Sequence, residues 1–165
     1  MSKDPYIGKE VQQMRIHTLK KTNIDKLKGF FDVYCEAFEE VHPFPSDVAL
    51  QRLMDHPSVL FIVGENGNGE VIGGMTVYVL PSLFTEKDYY IYDMAVKLLY
   101  QNKGVGKRLL NYIIGLGKEH QAETVYIEAD EPDQAANHLY ASFAVDTAKS
   151  TVYDLYQGDL HFDDK

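Results

Sequence analysis

The segment Gln101-Asn102-Lys103-Gly104-Val105-Gly106 does most to limit what this chain can become. It follows a β-rich run, Tyr89 to Val96, and opens a stretch from Gly104 to His120 in which Val105, Leu109, Ile113 and Leu116 recur at helical spacing. Leu110 and Ile114 widen that stripe, as expected for a helix packed on a sheet. A glycine-rich turn between strand and helix lets backbone N–H groups converge on an anion without Cβ clashes. The helix start adds partial positive charge. Lys103, Lys107 and Arg108 bring whole charges to the same end. Two other phosphate loops are excluded by single positions. A Walker A loop needs glycine where Gln101 stands and Ser or Thr where Arg108 stands. A dinucleotide fingerprint needs a third glycine where Leu109 stands.

Around this segment the pattern alternates between strand and helix. Val11 to Leu19 reads as a strand. Thr22, with Asp25 three residues on, reads as a capping box for a helix through Phe38. Pro43 and Pro45 break that helix, and Ser46 caps a second one to about His56. Val59 to Gly64 and Val71 to Leu80 form a hairpin across Asn66-Gly67, and Pro81 to Asp88 is a loop before the Tyr89 strand. Thr124 to Ala129 is a strand, Pro132 opens a short helix to about Phe143, and Ser150 to Tyr156 is the last strand. The order β-α-α-β-β-β-α-β-α-β predicts an α/β domain around a mixed sheet. No repeat, low-complexity tract or linker divides it, so residues 1–165 are expected to be one domain, with 1–9 and 158–165 as frayed tails.

Charge is unevenly distributed. The net charge is −9, which argues against a nucleic-acid partner, since phosphate neutralisation needs a basic face. Yet from Met94 to Lys118 there are five cations (Lys97, Lys103, Lys107, Arg108, Lys118) and no acid. A basic island in an acidic chain points to an anionic ligand there and a cationic one elsewhere. No apolar run approaches a membrane span, and Met1-Ser2-Lys3-Asp4-Pro5 has no signal-peptide character, so a cytoplasmic protein without membrane contact is expected. Cys35 lies in an apolar helical pattern and reads as a core residue, not a nucleophile. His42, His56, His120, His138 and His161 lack metal spacing, so no metal site is expected.

Gln-x-x-Gly-x-Gly opening a helix resembles the pyrophosphate loop of the GNAT acetyltransferases. Asp133-x-x-Ala136-x-x-Leu139-Tyr140, followed by Phe143, resembles that family's second motif. It departs from it at Asp133, where asparagine is frequent, and at Ala144, where glycine is usual. From about Phe30 to Tyr156 the chain is similar to the aminoglycoside 3-N-acetyltransferases of the GNAT type. The resemblance rests on Val79-Leu80-Pro81, on Tyr90 to Val96, and on Ile127-Glu128-Ala129-Asp130 leading into the tyrosine helix.

The resemblance implies a mixed, mostly antiparallel sheet with helices on both faces. It also implies acetyl-coenzyme A as cosubstrate, held by Met94, Ala95, Val96, Gln101, Asn102, Lys103, Gly104, Val105, Gly106 and Lys107. Direct transfer to an amine needs a neutral nucleophile, a stabilised oxyanion and a proton for the departing thiolate. Asp93 is the candidate base and Tyr140 the candidate acid. The competing readings are a structural pairing of Asp93 with nearby tyrosines, and Tyr140 as a core residue of an amphipathic helix. Backbone N–H groups near Met94 to Val96 are expected to bind the acetyl oxygen, provided the next strand splays away.

The acceptor end is expected to be acidic. Glu128, Asp130, Glu131 and Asp133 follow one strand, and Glu36, Glu39 and Glu40 close the first long helix. Asp130, Glu128 and Glu36 are the substrate-binding candidates, while Glu39 and Glu40 read as a solvated charge run. The expected acceptor is a cationic small molecule, with the 3-amino group of an aminoglycoside as leading candidate. A polyamine, an amino-sugar metabolite or a protein lysine remains open as acceptor, as does a CoA-binding sensor without catalysis. Homodimers are common in the family.

Overall fold

The computed structural model describes residues 5–153 and 155. In chain order the elements are α1 (Pro5–Gln12), β1 (Arg15–Thr18), α2 (Ile24–Phe38), α3 (Asp47–Asp55), β2 (Val59–Glu65), β3 (Val71–Leu80), β4 (Asp88–Val96), a 3-10 turn (Leu98–Tyr100), α4 (Val105–Glu119), β5 (Val125–Ile127) and α5 (Gln134–Ala141). The strands form one sheet in the order β1-β2-β3-β4-β5, antiparallel except for the parallel β4–β5 pair. A parallel neighbour needs a crossover, and α4 supplies it between β4 and β5. The result is a mixed α/β sheet with helices on both faces. No helix among the described residues is long and apolar enough to cross a membrane.

Alternation sends side chains of the central strands to two cores. On one face Ile62, Ile72, Met75, Val77, Tyr89 and Ile91 pack with Val105, Leu109, Leu110 and Ile113 of α4 and with Val11 and Met14. On the other face Phe61, Val63, Val71 and Ala95 pack under Leu27, Phe30 and Val33 of α2 and under Leu50 and Met54 of α3. Leu109 and Ile113 are fully buried, and each contributes roughly 2 kcal/mol from the apolar surface removed from water. The β2–β3 hairpin turns on Asn66, whose side-chain oxygen accepts the N–H groups of Asn68 and Glu70.

Several boundaries differ from the sequence-based expectation. The strand expected over Val11 to Leu19 is confined to Arg15–Thr18. Before it lies helix α1, which also takes up residues 5–9 of the expected tail. Val11 and Met14 sit three apart, a spacing that a helical end uses as readily as a strand, and both reach the α4-side core. Glu10, nearly buried, accepts a 2.5 Å hydrogen bond from the Tyr100 hydroxyl, a long-range tie that local pattern cannot encode. The expected capping box at Thr22 is absent: Asn23 is the N-cap of α2, and its side chain instead accepts the Lys20 N–H. Ser46 caps α3 as expected, accepting the Ala49 N–H. The helix expected from Pro132 begins at Gln134, because Asp133 is its cap and accepts the Ala136 N–H. Of the strand expected over Ser150 to Tyr156, residues 150–153 are exposed and lack regular structure, and Asp154 and Tyr156 fall outside the described residues, as do 1–4 and 158–165.

Candidate active site

The pairing of β3 with β4 contains one irregularity. Thr76 faces Asp93 and Val77 faces Ile91, so Tyr92 has no partner. This is a β-bulge, and an extra residue reverses the alternation beyond it. Before the bulge Tyr89 and Ile91 point into the α4-side core. After it Met94 and Val96 pack against that side, and Ala95 joins the α2-side core. Tyr92 and Asp93 therefore both point to the α2 face. The Asp93 carboxylate turns back and accepts the Thr76 backbone N–H at 2.9 Å, a donor that the bulge frees from the ladder. Burial pushes the Asp93 carboxyl above the usual carboxylate range, and the Thr76 bond only partly opposes it.

Beyond the bulge β4 loses a neighbour. Its pairing with β5 ends at Ile91 and Ile127, and β5 itself stops there. The Lys97 N–H donates to the Ile72 carbonyl at 3.0 Å, on the β3 side. By alternation Ala95 directs its peptide groups to β3, while Met94 and Val96 direct theirs to the edge that β5 has left. The Val96 carbonyl on that edge accepts the Gln101 side-chain amide at 3.1 Å. Gln101 thus joins the strand end to the following loop. The N–H groups of Met94 and Val96 remain as donors along an open edge.

The loop delivers a second set of donors. Asn102 has φ 57° and Gly104 φ 90°, and the left-handed Gly104 is the N-cap of α4, with no side chain to fill it. The first helical bond runs from the Arg108 N–H to the Gly104 carbonyl at 3.1 Å, so the N–H groups of Val105, Gly106 and Lys107 have no helical partner. An uncapped helix start with three free donors suits an anion. The Val105 side chain is buried, leaving only its amide for a ligand. Gly106 has a packing reason as well: a Cβ there would lie 3.0 Å from Leu139 of α5. Absence of that Cβ lets the tyrosine helix approach the loop.

The cations divide. Lys107 is exposed at the helix start, with no salt bridge among the described residues. Lys103 bends back and donates to the Leu99 carbonyl at 2.9 Å. Arg108, expected to add charge for a phosphate, instead points away from the loop. It donates to the carbonyls of Val11, Gln12 (3.3 Å) and Met14 (2.9 Å) at the end of α1. Those carbonyls lack helical partners, and a guanidinium fork satisfies several together. The expectation failed because α1 was not foreseen.

Tyr140 lies on α5, half-buried, and packs on the α4-side core. Burial, with a smaller contribution from Asp133, pushes its phenol up to about 12. Asp93 and Tyr140 thus belong to opposite faces of the sheet, and no hydrogen bond joins them. Of the acceptor candidates, Glu128 is exposed and accepts the Tyr90 hydroxyl at 2.9 Å. Asp130 is exposed, and its backbone carbonyl takes the Asp133 N–H and the Asn137 side chain. Glu36 is half-buried and accepts the Leu98 N–H at 3.0 Å, tying α2 to the 3-10 turn. Sequence reasoning noted tyrosines near Asp93 but not that Tyr34 and Tyr78, from other elements, join them. Burial raises the phenols of Tyr34 and Tyr78, and the Asp93 charge adds to both shifts. The Tyr90-Ile91-Tyr92 alternation was the one visible sign of that cluster.

Comparisons with known proteins bear on the family and the fold. Residues 27–144 match the model of the acetyltransferase (GNAT) family. The fold superposes on an aminoglycoside acetyltransferase, meta-AAC0020, from an uncultured soil metagenomic sample, in complex with trehalose. That match has a TM-score of 0.83 and 27% identity over 90% of this chain and 98% of the other. The same enzyme in complex with sisomicin gives 0.79 and 28% over 89% and 97%. Aminoglycoside N-acetyltransferase AAC(6')-Iy in complex with CoA shares the fold, with a TM-score of 0.71 at 11% identity over 88% and 95%. No curated protein matches the chain in sequence. With the family model spanning most of the chain, the protein belongs to the GNAT acetyltransferase family and is an N-acetyltransferase.

Proposed function

We propose that the protein transfers the acetyl group of acetyl-CoA directly to a primary amine of a polycationic small molecule, an aminoglycoside being the leading acceptor. One observation carries the reading: the unpaired edge of β4 runs from the Asp93 bulge to the uncapped start of α4. Along that line Met94 and Val96 offer N–H groups to the thioester end. Val105, Gly106 and Lys107 offer theirs to the diphosphate, beside the Lys107 ammonium. The residues present fit the cosubstrate, because a negatively charged tail and a carbonyl oxygen both need donors that the fold has left unused.

In this reading the acceptor approaches from the α2 face and gives up a proton towards Asp93, directly or through water. A carboxylate whose affinity for protons is raised by burial is a better base than a solvated one. The free amine attacks the thioester carbon, and charge gathers on the carbonyl oxygen. One N–H donor at that position is worth roughly 3 kcal/mol in the transition state. The carbon–sulfur bond then breaks, the departing sulfur takes the Tyr140 proton, and the second proton shed by the new amide nitrogen returns to the Tyr140 oxygen through solvent. The aminoglycoside proposal draws on meta-AAC0020, at 28% identity in its complex with sisomicin, and on the net charge of −9.

Thiol release from acetyl-CoA in the presence of sisomicin tests the proposal, alongside thermal stabilisation by CoA alone. Stabilisation and turnover are both expected. CoA stabilisation without turnover on any aminoglycoside would remove that acceptor, and absence of CoA stabilisation would remove acetyl-CoA as the donor.

A further inference from the structure

Tyr78, Tyr90 and Tyr126 are directly paired across three adjacent strands, β3, β4 and β5, and so stand in one row on one face of the sheet. Tyr92, two residues beyond Tyr90, extends the row towards Asp93. Their rings touch: Tyr90 and Tyr126 stack with centroids 4.9 Å apart at 17°, and Tyr92 meets Tyr78 edge-on at 5.3 Å and 88°. Helix α2 packs over β2, β3 and β4, whereas β5 finds its helix on the opposite face, in α4. The β5 end of the row is therefore uncovered, with Tyr126 40% exposed, and Tyr92 at the Asp93 end is 61% exposed. Isolated exposed tyrosines are ordinary, but three in register, with Tyr92 of the bulge touching them beside a desolvated carboxylate, form a surface of one chemical kind.

Its charge is also of one kind. The charged groups that act on Tyr78, Tyr90 and Tyr126 are Asp93, Glu128 and Asp88, all carboxylates. Tyrosine faces carry negative potential, and neutral phenols beside carboxylates favour a cation over an anion or an apolar chain. The row ends on Glu128, held by the Tyr90 hydroxyl, and begins beside Asp93.

We infer that this tyrosine row is the acceptor's binding floor, seating ammonium groups of a polycationic amine on the faces of Tyr92 and Tyr126 between Asp93 and Glu128. The inference rests on the acetyl-transfer reading and specifies how its acceptor is held. Binding then depends on aromatic faces as well as on carboxylates, and Tyr126 and Tyr92 act as specificity residues, not as proton carriers.

The chain has 12 tyrosines and no tryptophan, so ultraviolet difference absorption reports on this row without an indole background. Sisomicin is added to the CoA complex of the wild type and of Tyr92→Leu, Tyr126→Leu, Tyr92→Phe and Tyr126→Phe, with calorimetry for affinity and sedimentation for assembly. A tyrosine difference signal is expected in the wild type. Sisomicin affinity should fall about 10-fold in each leucine variant and stay within about 2-fold in each phenylalanine variant. CoA affinity should be unchanged in all four. Failure of the wild type to bind CoA would overturn the acetyl-transfer reading itself. With CoA bound, wild-type affinity for sisomicin retained in the leucine variants would overturn the tyrosine floor alone, and no sisomicin binding by the wild type would overturn the floor together with sisomicin as acceptor. A leucine variant that weakens assembly without weakening sisomicin binding would make the row a contact between copies of the chain, and would also overturn it.

Discussion

Replacing Asp93 with asparagine keeps an oxygen for the Thr76 N–H and removes only the charge. If Asp93 is the base, kcat should fall roughly 10²- to 10⁴-fold with the fold intact. The effect on stability has the opposite sign. The folded Asp93 carboxyl is raised above its ordinary value by burial, so it favours the protonated form. Its stabilising share is present below the ordinary carboxylate range and is lost as pH rises through the raised value. Near pH 7 the wild type therefore carries a desolvated charge, and Asp93→Asn should melt at the same temperature or higher, the difference closing in acid. A large drop in melting temperature near neutral pH would make Asp93 structural. For Tyr140 the argument runs through the phenol, pushed up to about 12. Such an acid keeps its proton through the usual assay range, so the pH–rate profile should show no falling limb near 10. Tyr140→Phe should lower kcat about 10²-fold. A limb near 10 that Tyr140→Phe abolishes would contradict the buried phenol.

Elements rather than single groups decide what the basic island does. Of its five cations, Lys97 pairs with Glu70, Arg108 serves α1, Lys103 serves the 3-10 turn and Lys118 lies in the last turn of α4, which leaves Lys107 exposed at the head of α4. Lys107→Ala should raise KM for acetyl-CoA roughly 5-fold with little change in stability. Arg108→Met should do the reverse. Losing its bonds to the carbonyls that close α1 should cost about 2 kcal/mol, or about 5 °C in melting temperature, with KM for acetyl-CoA nearly unchanged. The two variants together test the division of labour, since a phosphate role for Arg108 would exchange their effects. The same element explains why α1 was read as a frayed tail running into a strand at Val11. Its boundaries are held by Tyr100 and Arg108, residues distant in the chain, and an eight-residue helix has too little local signal of its own.

Across the whole molecule the charge is −9, while the α4 head and its loop are basic. A cationic acceptor should be steered by that field and an anionic cosubstrate held against it by local donors. Raising salt from about 0.05 to 0.5 M shortens the screening length, so kcat/KM for sisomicin should fall about 10-fold. A flat salt profile would count against a cationic acceptor.

Read alone, the residues from Gly104 to Glu119 specify their helix and its buried stripe, and Gln101 to Gly106 specify a glycine-rich turn before it, because both signals lie within a few residues. The central strands and the α/β class were legible for the same reason. Three features were not, and each depends on contacts between distant parts of the chain. The bulge that turns Asp93 to the α2 face exists only once β3 and β4 are in register. The tyrosine row exists only when three strands lie side by side. Arg108 became a clasp for α1 because folding brought the carbonyls of Val11, Gln12 and Met14 within its reach. Local pattern sets which elements form, whereas register and long-range hydrogen bonds set which faces and groups remain free for a ligand.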